Sequence, residues 1–307
     1  MWSASSRTPR DPSLVGRSRH DLRALRRARL AFLRRFGHIT HDLALLFYVD
    51  PARAAVGEEE GRPLRPLLTF MMEEFGAARE RRFLIAEGSS TGPSSGPLLL
   101  RSAGEFAAAV KRACEQAQSI FIGGLPPAVA PCLEALQATG FRALVPPGGI
   151  LMLAGGGWDG RHGSLVAPGP VSRSALVESA GRILGLGERQ VVDVYGFTET
   201  PACFAGHFSA QDGEFLYHSP PWTRVVLRNP HTLAPVQKPD QPGLVEVLTW
   251  KAVASYPGAA VLSEDLAAWS RHTKCPVCRR QGPLFRLLGG APAPHAVAEL
   301  RDQIARL

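Results

Sequence analysis

The feature that most constrains the fold is an alternation of apolar runs and helical segments in the middle of the chain. Apolar runs typical of buried strands lie at residues 120–122, 143–145, 150–154 and 191–195. Segments with helical periodicity lie before or between them, at residues 103–118, 129–138 and 174–184. Strands that alternate with helices of this length usually form βαβ units. The sequence therefore predicts an α/β fold with a largely parallel sheet.

The pattern of predicted secondary structure changes in the later part of the chain. After Phe215, strand-like runs at 224–228, 243–250 and 259–262 are joined by Asn-Pro and Pro-Gly turns. Glycine and proline account for 31 and 26 of the 307 residues, which is more than average usage and favours many turns. We therefore expect parallel-rich sheet layers followed by a β-rich later part.

Upstream of residue 103 the pattern is weaker. It predicts a helix over 64–80, a short strand over 83–87 and a loop over the Ser- and Gly-rich residues 88–97. No run approaches the roughly 18 apolar residues of a membrane span, and the first residues lack the apolar core of a secretory signal. Five cysteines, an odd number, fit reduced thiols or metal ligands better than a disulfide framework. A cytoplasmic protein is therefore expected.

The net charge of +8 is concentrated at the amino terminus. Residues 1–35 contain ten arginines and two aspartates, so the rest of the chain is close to neutral. A basic arm could contact nucleic acid or anionic lipid. Residues 21–36 also have an amphipathic helical pattern, with an apolar stripe made by Leu22, Leu25, Leu30 and Leu33. We favour a solvated helix, and divide the chain into an arm and helix (1–40), a main domain (41–292) and a tail (293–307).

The segment 191–200, Val-Val-Asp-Val-Tyr-Gly-Phe-Thr-Glu-Thr, carries the most chemistry. Ligands of open α/β sheets bind at the carboxyl ends of strands, where this segment presents an aromatic ring, a hydroxyl and a carboxylate. Such a loop could hold a nucleotide base, a phosphate and Mg²⁺. A polar loop that only caps a strand is the alternative.

Several motifs resemble those of the adenylate-forming acyl synthetases, the superfamily of acyl-CoA ligases and firefly luciferase. Tyr195 to Glu199 resembles the Tyr-Gly-x-Thr-Glu motif, residues 151–158 (Leu-Met-Leu-Ala-Gly-Gly-Gly-Trp) resemble the upstream Gly-Gly segment, and residues 263–266 (Ser-Glu-Asp-Leu) resemble a later segment. LuxE-type acyl-protein synthetases are the most similar group, through Pro-Pro-Trp-Thr-Arg-Val at 220–225 and Arg-Asn-Pro-His-Thr at 228–232. Phenylacetate-CoA ligases are second. The resemblance covers residues 60–292.

The resemblance implies ATP-dependent activation of a carboxylic acid, most simply a fatty acid, to an acyl-adenylate. Transfer to a thiol of an acceptor protein or of CoA would follow. By this resemblance, Tyr195 would stack on adenine, with Gly196 next to it in the nucleotide-binding motif. Thr198 would contact phosphate and Glu199 would hold Mg²⁺. Asp265 would bind the ribose. The glycines of the upstream segment would let the backbone approach the ligand: Gly155, Gly156 and Gly157.

Several departures from the family pattern bear on activity. Residues 88–97 have a phosphate-loop composition but an unexpected position, and Asp159 replaces a lysine. Gly289 and Gly290 stand where the hinge to a small C-terminal domain would have arginine, and neither the family's lysine nor an acyl-accepting cysteine follows. We therefore expect that the small C-terminal domain is missing. Either a separate polypeptide supplies it, or the chain is a shortened, weakened or non-catalytic relative. A non-catalytic acyl- or nucleotide-binding module is the alternative, and a nucleic-acid protein is a third hypothesis that the neutral body disfavours.

The cysteines raise a further question. Cys275 and Cys278 form a CxxC pair, which can supply two of the four ligands of a tetrahedral zinc ion. Some phenylacetate-CoA ligases have a similar arrangement, which indicates a structural Zn²⁺ on Cys203, His218, Cys275 and Cys278, with His207 or His272 able to replace His218. Two reduced surface thiols and a redox pair are the alternatives. Cys114 and Cys132 lie in helical patterns and are expected to be core residues.

Overall fold

The computed structural model of the protein describes residues 2–4, 14–37, 43–47, 57–59, 62–66, 82–84, 86–87, 99–100, 103–116, 119–146, 148–154, 156–160, 169–197, 199–255 and 258–290. The helices in these ranges are α1 (Arg19–Gly37), α2 (Ala103–Gln116), α3 (Pro126–Ala138) and α4 (Arg173–Leu184). A 3-10 turn at Glu188–Gln190 follows α4. None of the described helices combines the length and the apolar character needed to cross a membrane.

Strands account for most of the remaining described structure. The earlier strands are β1 (Trp2–Ala4), β2 (Leu14–Gly16), β3 (Leu43–Phe47), β4 (Gly57–Glu59), β5 (Arg62–Pro66), β6 (Arg82–Leu84), β7 (Ala86–Glu87), β8 (Leu99–Leu100) and β9 (Ser119–Gly124). The later strands are β10 (Ile150–Ala154), β11 (Val191–Tyr195), β12 (Phe204–Ser209), β13 (Glu214–His218), β14 (Thr223–Arg228), β15 (Pro235–Val236), β16 (Pro242–Thr249), β17 (Ala260–Trp269) and β18 (Leu284–Gly290).

Twelve of the described strands form one sheet, in the order β15-β14-β16-β17-β18-β13-β12-β11-β10-β9-β3-β6. From β6 to β11 all neighbours run parallel. From β11 to β15 all neighbours run antiparallel. Both expectations, the parallel α/β part and the β-rich later part, are confirmed. Of the remaining strands, β2, β1, β5 and β4 form a second sheet and β7 pairs with β8.

Strands β9, β10 and β11 are buried on both faces, as their continuous apolar sequences require. Successive residues of a strand point to opposite faces. One face packs against α2, α3 and α4, through residues that include Ile122, Leu151, Leu153 and Val191. The other face packs against α1, through Phe121, Met152 and Val192. Helices therefore cover both faces of β9, β10 and β11.

The helix expected over residues 21–36 is confirmed, but it belongs to the core. Its buried apolar residues are Leu25, Ala28, Phe32, Leu33 and Phe36, whereas Leu22 and Leu30 are only half-buried. Arg29 is also buried, at 2% exposure. The sequence pattern did not separate this arginine from its solvated neighbours.

Two predicted elements are wrong where the structure describes them. Residues 143–145 form no strand, because the Ala143 N–H donates to the Ile183 carbonyl (2.8 Å) and the Val145 N–H donates to the Leu184 carbonyl (3.0 Å) at the end of α4. Residues 64–66 belong to β5 and not to a helix. The rest of that predicted helix, 67–81, and the predicted loop 88–97 lie outside the described residues.

Candidate active site and candidate metal centre

Two of the predicted motifs leave the sheet side by side. Strands β10 and β11 are parallel neighbours, with Ala154 opposite Val194, so the segments that follow them emerge at the same edge. Gly156 and Gly157 follow β10 with φ of +69° and +85°, a region that L side chains rarely adopt. Gly155 lies outside the described residues. The sequence therefore places a tight glycine turn beside the Tyr195 loop, where ligands of α/β sheets bind.

Tyr195 and Asp265 meet although they are 70 residues apart. The Tyr195 hydroxyl donates a hydrogen bond to Asp265 Oδ2 at 2.8 Å, and lies 3.4 Å from Ser263 Oγ. Burial, and then the negative charge of Asp265, raise the pKa of Tyr195, so its hydroxyl stays protonated and acts as a donor. The ring of Tyr195 stacks on Phe204, with centroids 5.7 Å apart. This contact joins the parallel part of the sheet to β17.

The loop after Tyr195 is anchored on its far side by α1. Gly196 turns so closely that a Cβ there would lie 3.1 Å from the Ala202 carbonyl oxygen. The buried Arg29 donates from Nε (3.3 Å) and Nη2 (3.2 Å) to the Pro201 carbonyl. Glu199 is half-buried, and its charge contributes to the raised pKa of Tyr195, whereas Thr198 lies outside the described residues. An arginine of α1 therefore fixes one end of the loop that carries Glu199.

We expect Arg29→Met to destabilise the protein by about 1–3 kcal/mol, because the variant leaves the buried Pro201 carbonyl without its charged donor. Chemical denaturation would measure the loss. Arg23→Met is the matched control, since Arg23 is exposed on the same helix and a surface change of this kind is usually within about 0.5 kcal/mol. Equal losses in the two variants would contradict an anchoring role for Arg29.

A buried carboxyl group lies directly behind the Tyr195 loop. Asp193 Oδ2 accepts hydrogen bonds from Trp158 Nε1 (3.1 Å) and from the Tyr217 hydroxyl. Burial raises the pKa of Asp193 to about 6. The Arg173 guanidinium lies over the Trp158 ring, 5.2 Å from its centroid. This network connects the glycine turn to β11. In the sequence it is indicated by one aspartate, Asp193, inside an otherwise apolar strand.

A second cluster lies on the antiparallel side of the sheet. His207 of β12, His218 of β13 and the CxxC pair Cys275 and Cys278 place their ligand atoms within 4.8 Å of one another. Cys278 Sγ lies 3.5 Å from His218 Nε2. Burial lowers the pKa of His207, and the hydrogen bond from Cys278 lowers the pKa of Cys275. Both shifts favour the deprotonated forms of the two side chains, which are the forms that bind metal ions.

Cys203 is not part of this cluster, which corrects the ligand set expected from the sequence. It lies four residues before His207, a distance of about 13 Å along a strand. There it packs in the apolar cluster that includes Phe32, Ala205 and Trp222. His207, which the sequence offered as a substitute for His218, takes the fourth position beside His218. His272 lies elsewhere, with Nε2 2.9 Å from Asp212 Oδ2.

A known protein family matches the half of the chain that carries these motifs. Residues 144–296 match the family described as acyl-protein synthetase, LuxE. This range contains the glycine turn, Tyr195, Glu199 and Asp265. The predicted resemblance to LuxE-type acyl-protein synthetases is confirmed over this range. A search of curated protein sequences finds no significant match.

Solved structures of adenylate-forming ligases have the same fold. A 2-hydroxyisobutyryl-CoA ligase in complex with 2-HIB-AMP and CoA superposes with a TM-score of 0.57 at 14% identity, covering 94% of this chain and 57% of the ligase. ATP-bound MatB from Rhodopseudomonas palustris superposes with a TM-score of 0.53 at 14% identity, covering 94% of this chain and 47% of MatB. The chain therefore spans about half the length of these adenylate-forming proteins.

Proposed function

We propose that the chain binds ATP and a carboxylic acid at the edge formed by the glycine turn and the Tyr195 loop, and forms an acyl-adenylate there. The contact between Tyr195 and Asp265 carries the proposal. It brings the expected adenine-binding and ribose-binding residues together, 2.8 Å apart, at the strand edge where ligands of this class of fold bind.

The side chains at this edge have distinct proposed roles. Tyr195 lies against adenine, Asp265 accepts hydrogen bonds from the ribose, and the glycine turn leaves room for the phosphates or the acyl group. Glu199 holds Mg²⁺ beside the phosphates, since a half-buried carboxylate suits the oxygen coordination that Mg²⁺ prefers. Thr198, the preceding residue in the sequence, contacts phosphate. Bound Mg²⁺ neutralises phosphate charge. The protein's own task is to orient the reacting groups.

In the proposed reaction a carboxylate oxygen attacks the α-phosphorus of ATP. A new O–P bond forms, the bond to the bridging oxygen breaks, and pyrophosphate leaves. A thiolate of an acceptor protein or of CoA then attacks the acyl carbonyl carbon, a C–S bond forms and AMP leaves. The LuxE family description supports an acceptor protein, and the neighbour that binds CoA supports CoA. The proposed acid substrate is a fatty acid, and the proposed compartment is the reducing cytoplasm.

ATP–pyrophosphate exchange tests the first half-reaction. With purified protein, Mg²⁺ and a panel of fatty, small and aromatic acids, we expect acid-dependent exchange that Glu199→Gln lowers at least tenfold, since the variant removes a charge proposed to hold Mg²⁺. Glu178→Gln, on the exposed side of α4, is the matched control and should keep wild-type exchange. Absence of exchange in folded protein that still binds ATP would favour the alternative, a non-catalytic nucleotide- or acyl-binding module.

A further inference from the structure

The four residues of the metal cluster are arranged as a preformed ligand set. His207 and His218 come from the two strands of one hairpin, in which His218 pairs with Ala205. Cys275 and Cys278 come from a tight turn between β17 and β18, closed by the Cys275 N–H donating to the Arg280 carbonyl (2.9 Å) and the Arg279 N–H donating to the Cys275 carbonyl (3.0 Å). Two independent segments thus point two imidazoles and two sulfurs at one point.

His207 is the observation that calls for a ligand. Its side chain is completely buried, and neither ring nitrogen makes a hydrogen bond of standard geometry within the described part of the chain, although the Cys275 side chain and the Arg189 backbone lie close enough to perturb its pKa. A buried imidazole without a well-formed hydrogen bond is costly unless another group satisfies it. The nearby sulfurs and His218 are ligands themselves, so a cation at the centre would satisfy all four groups at once.

The shape around the ligands supports a structural ion. Phe36 of α1 stacks on the His207 ring, with centroids 4.2 Å apart, and meets the His218 ring edge-on at 5.0 Å. Arg189 donates from Nε to the Val277 carbonyl at 3.0 Å, which orients the CxxC turn. Four protein ligands in a closed, buried setting are typical of structural zinc sites, since catalytic sites keep a position open.

We propose that His207, His218, Cys275 and Cys278 bind one Zn²⁺ with tetrahedral geometry. Two thiolates and two imidazoles are the donor set that zinc favours over Mg²⁺ or Ca²⁺. The ion joins the β12–β13 hairpin to the turn between β17 and β18 and lies under the end of α1. It therefore stabilises the side of the fold from which β17 carries Asp265.

Metal analysis of the purified protein tests this site without reference to activity. We expect about one zinc per chain after dialysis against metal-free buffer. X-ray absorption of the bound zinc should show two sulfur ligands at about 2.3 Å and two nitrogen ligands at about 2.0–2.1 Å. This measurement uses the wild-type protein, so it stands even where a variant fails to fold.

Substitutions separate this ligand set from the one expected from the sequence. Cys278→Ser and His207→Ala should lower the bound zinc at least fivefold, whereas Cys203→Ala should keep it. After chelation, Co²⁺ added to the wild type should give the intense visible absorption of a tetrahedral thiolate site, and Cys278→Ser should weaken it. Zinc-free protein that also fails to bind Zn²⁺ or Co²⁺, a sulfur-free coordination shell, or zinc loss in Cys203→Ala would overturn the proposal.

Discussion

Replacing Asp265 by asparagine is expected to weaken ATP binding about 10- to 100-fold. The carboxylate is proposed to accept hydrogen bonds from the ribose, and a hydrogen bond to a charged group contributes about 1.5–3 kcal/mol. Titration calorimetry with ATP and Mg²⁺ would measure the change. Glu264→Gln is the matched control, because side chains of adjacent strand residues point to opposite faces and Glu264 is exposed.

Tyr195→Phe makes the same experiment more specific. It removes the hydroxyl that donates to Asp265 but keeps the aromatic ring. If Asp265 binds ribose, the freed carboxylate should bind ATP at least as well as in the wild type, so the two substitutions act in opposite directions. If the hydrogen bond between Tyr195 and Asp265 only stabilises the fold, both variants should weaken ATP binding alike, and the proposed role of Asp265 would be lost.

Replacing Asp193 by alanine is expected to lower the free energy of unfolding by about 2–4 kcal/mol. Two buried donors, Trp158 Nε1 and the Tyr217 hydroxyl, lose their shared acceptor, and each unsatisfied donor costs about 1–3 kcal/mol. Urea unfolding would measure the loss. Glu178→Gln on α4 serves as the control for a carboxylate changed at an exposed site. A variant as stable as the wild type would show that the network does not support the glycine turn.

Asp193 also makes the free energy of unfolding depend on pH. Burial raises the pKa of folded Asp193 from 3.8 to about 6, so the folded state holds a proton that the unfolded state has already released. The stabilising contribution of that proton is complete below pH 4 and is lost as pH rises through 6. Asp193→Asn cannot titrate. Relative to this variant, the wild type should therefore lose roughly 2–3 kcal/mol between pH 4 and pH 7; parallel curves would contradict the shift.

The parallel part of the fold could be predicted because its strands are continuous apolar runs, and β9, β10 and β11 appear where such runs lie. The strand predicted at 143–145 is absent for a physical reason. The backbone N–H groups of this run donate hydrogen bonds to the end of α4, and the local sequence does not reveal that partner. The hairpin β12–β13 escaped prediction although Gly213, with φ of +68°, forms its turn.

The motifs that resemble a family identified Tyr195 and Asp265 because each is a short local pattern. Their contact joins β11 to β17, which lie four places apart in the order of the sheet, and no local pattern contains that juxtaposition. The roles of Arg29 and His207 are even harder to predict from the sequence. An arginine on an arginine-rich helix looks solvated, and only the tertiary structure shows that one of these arginines faces Pro201.

The position of α1 links the two ends of the chain during synthesis. Asp21 accepts a hydrogen bond from the Ser255 N–H (2.7 Å), and Arg280 donates to the Arg35 carbonyl (2.6 Å). The helix leaves the ribosome before these two partners, which emerge more than 200 residues later, and before Trp222, whose ring packs edge-on against Phe32. At about 5–20 residues per second, it waits roughly 10–40 seconds for Trp222 to complete the packing around Phe32. Nascent chains stalled before residue 222 should therefore be the ones that chaperones retain.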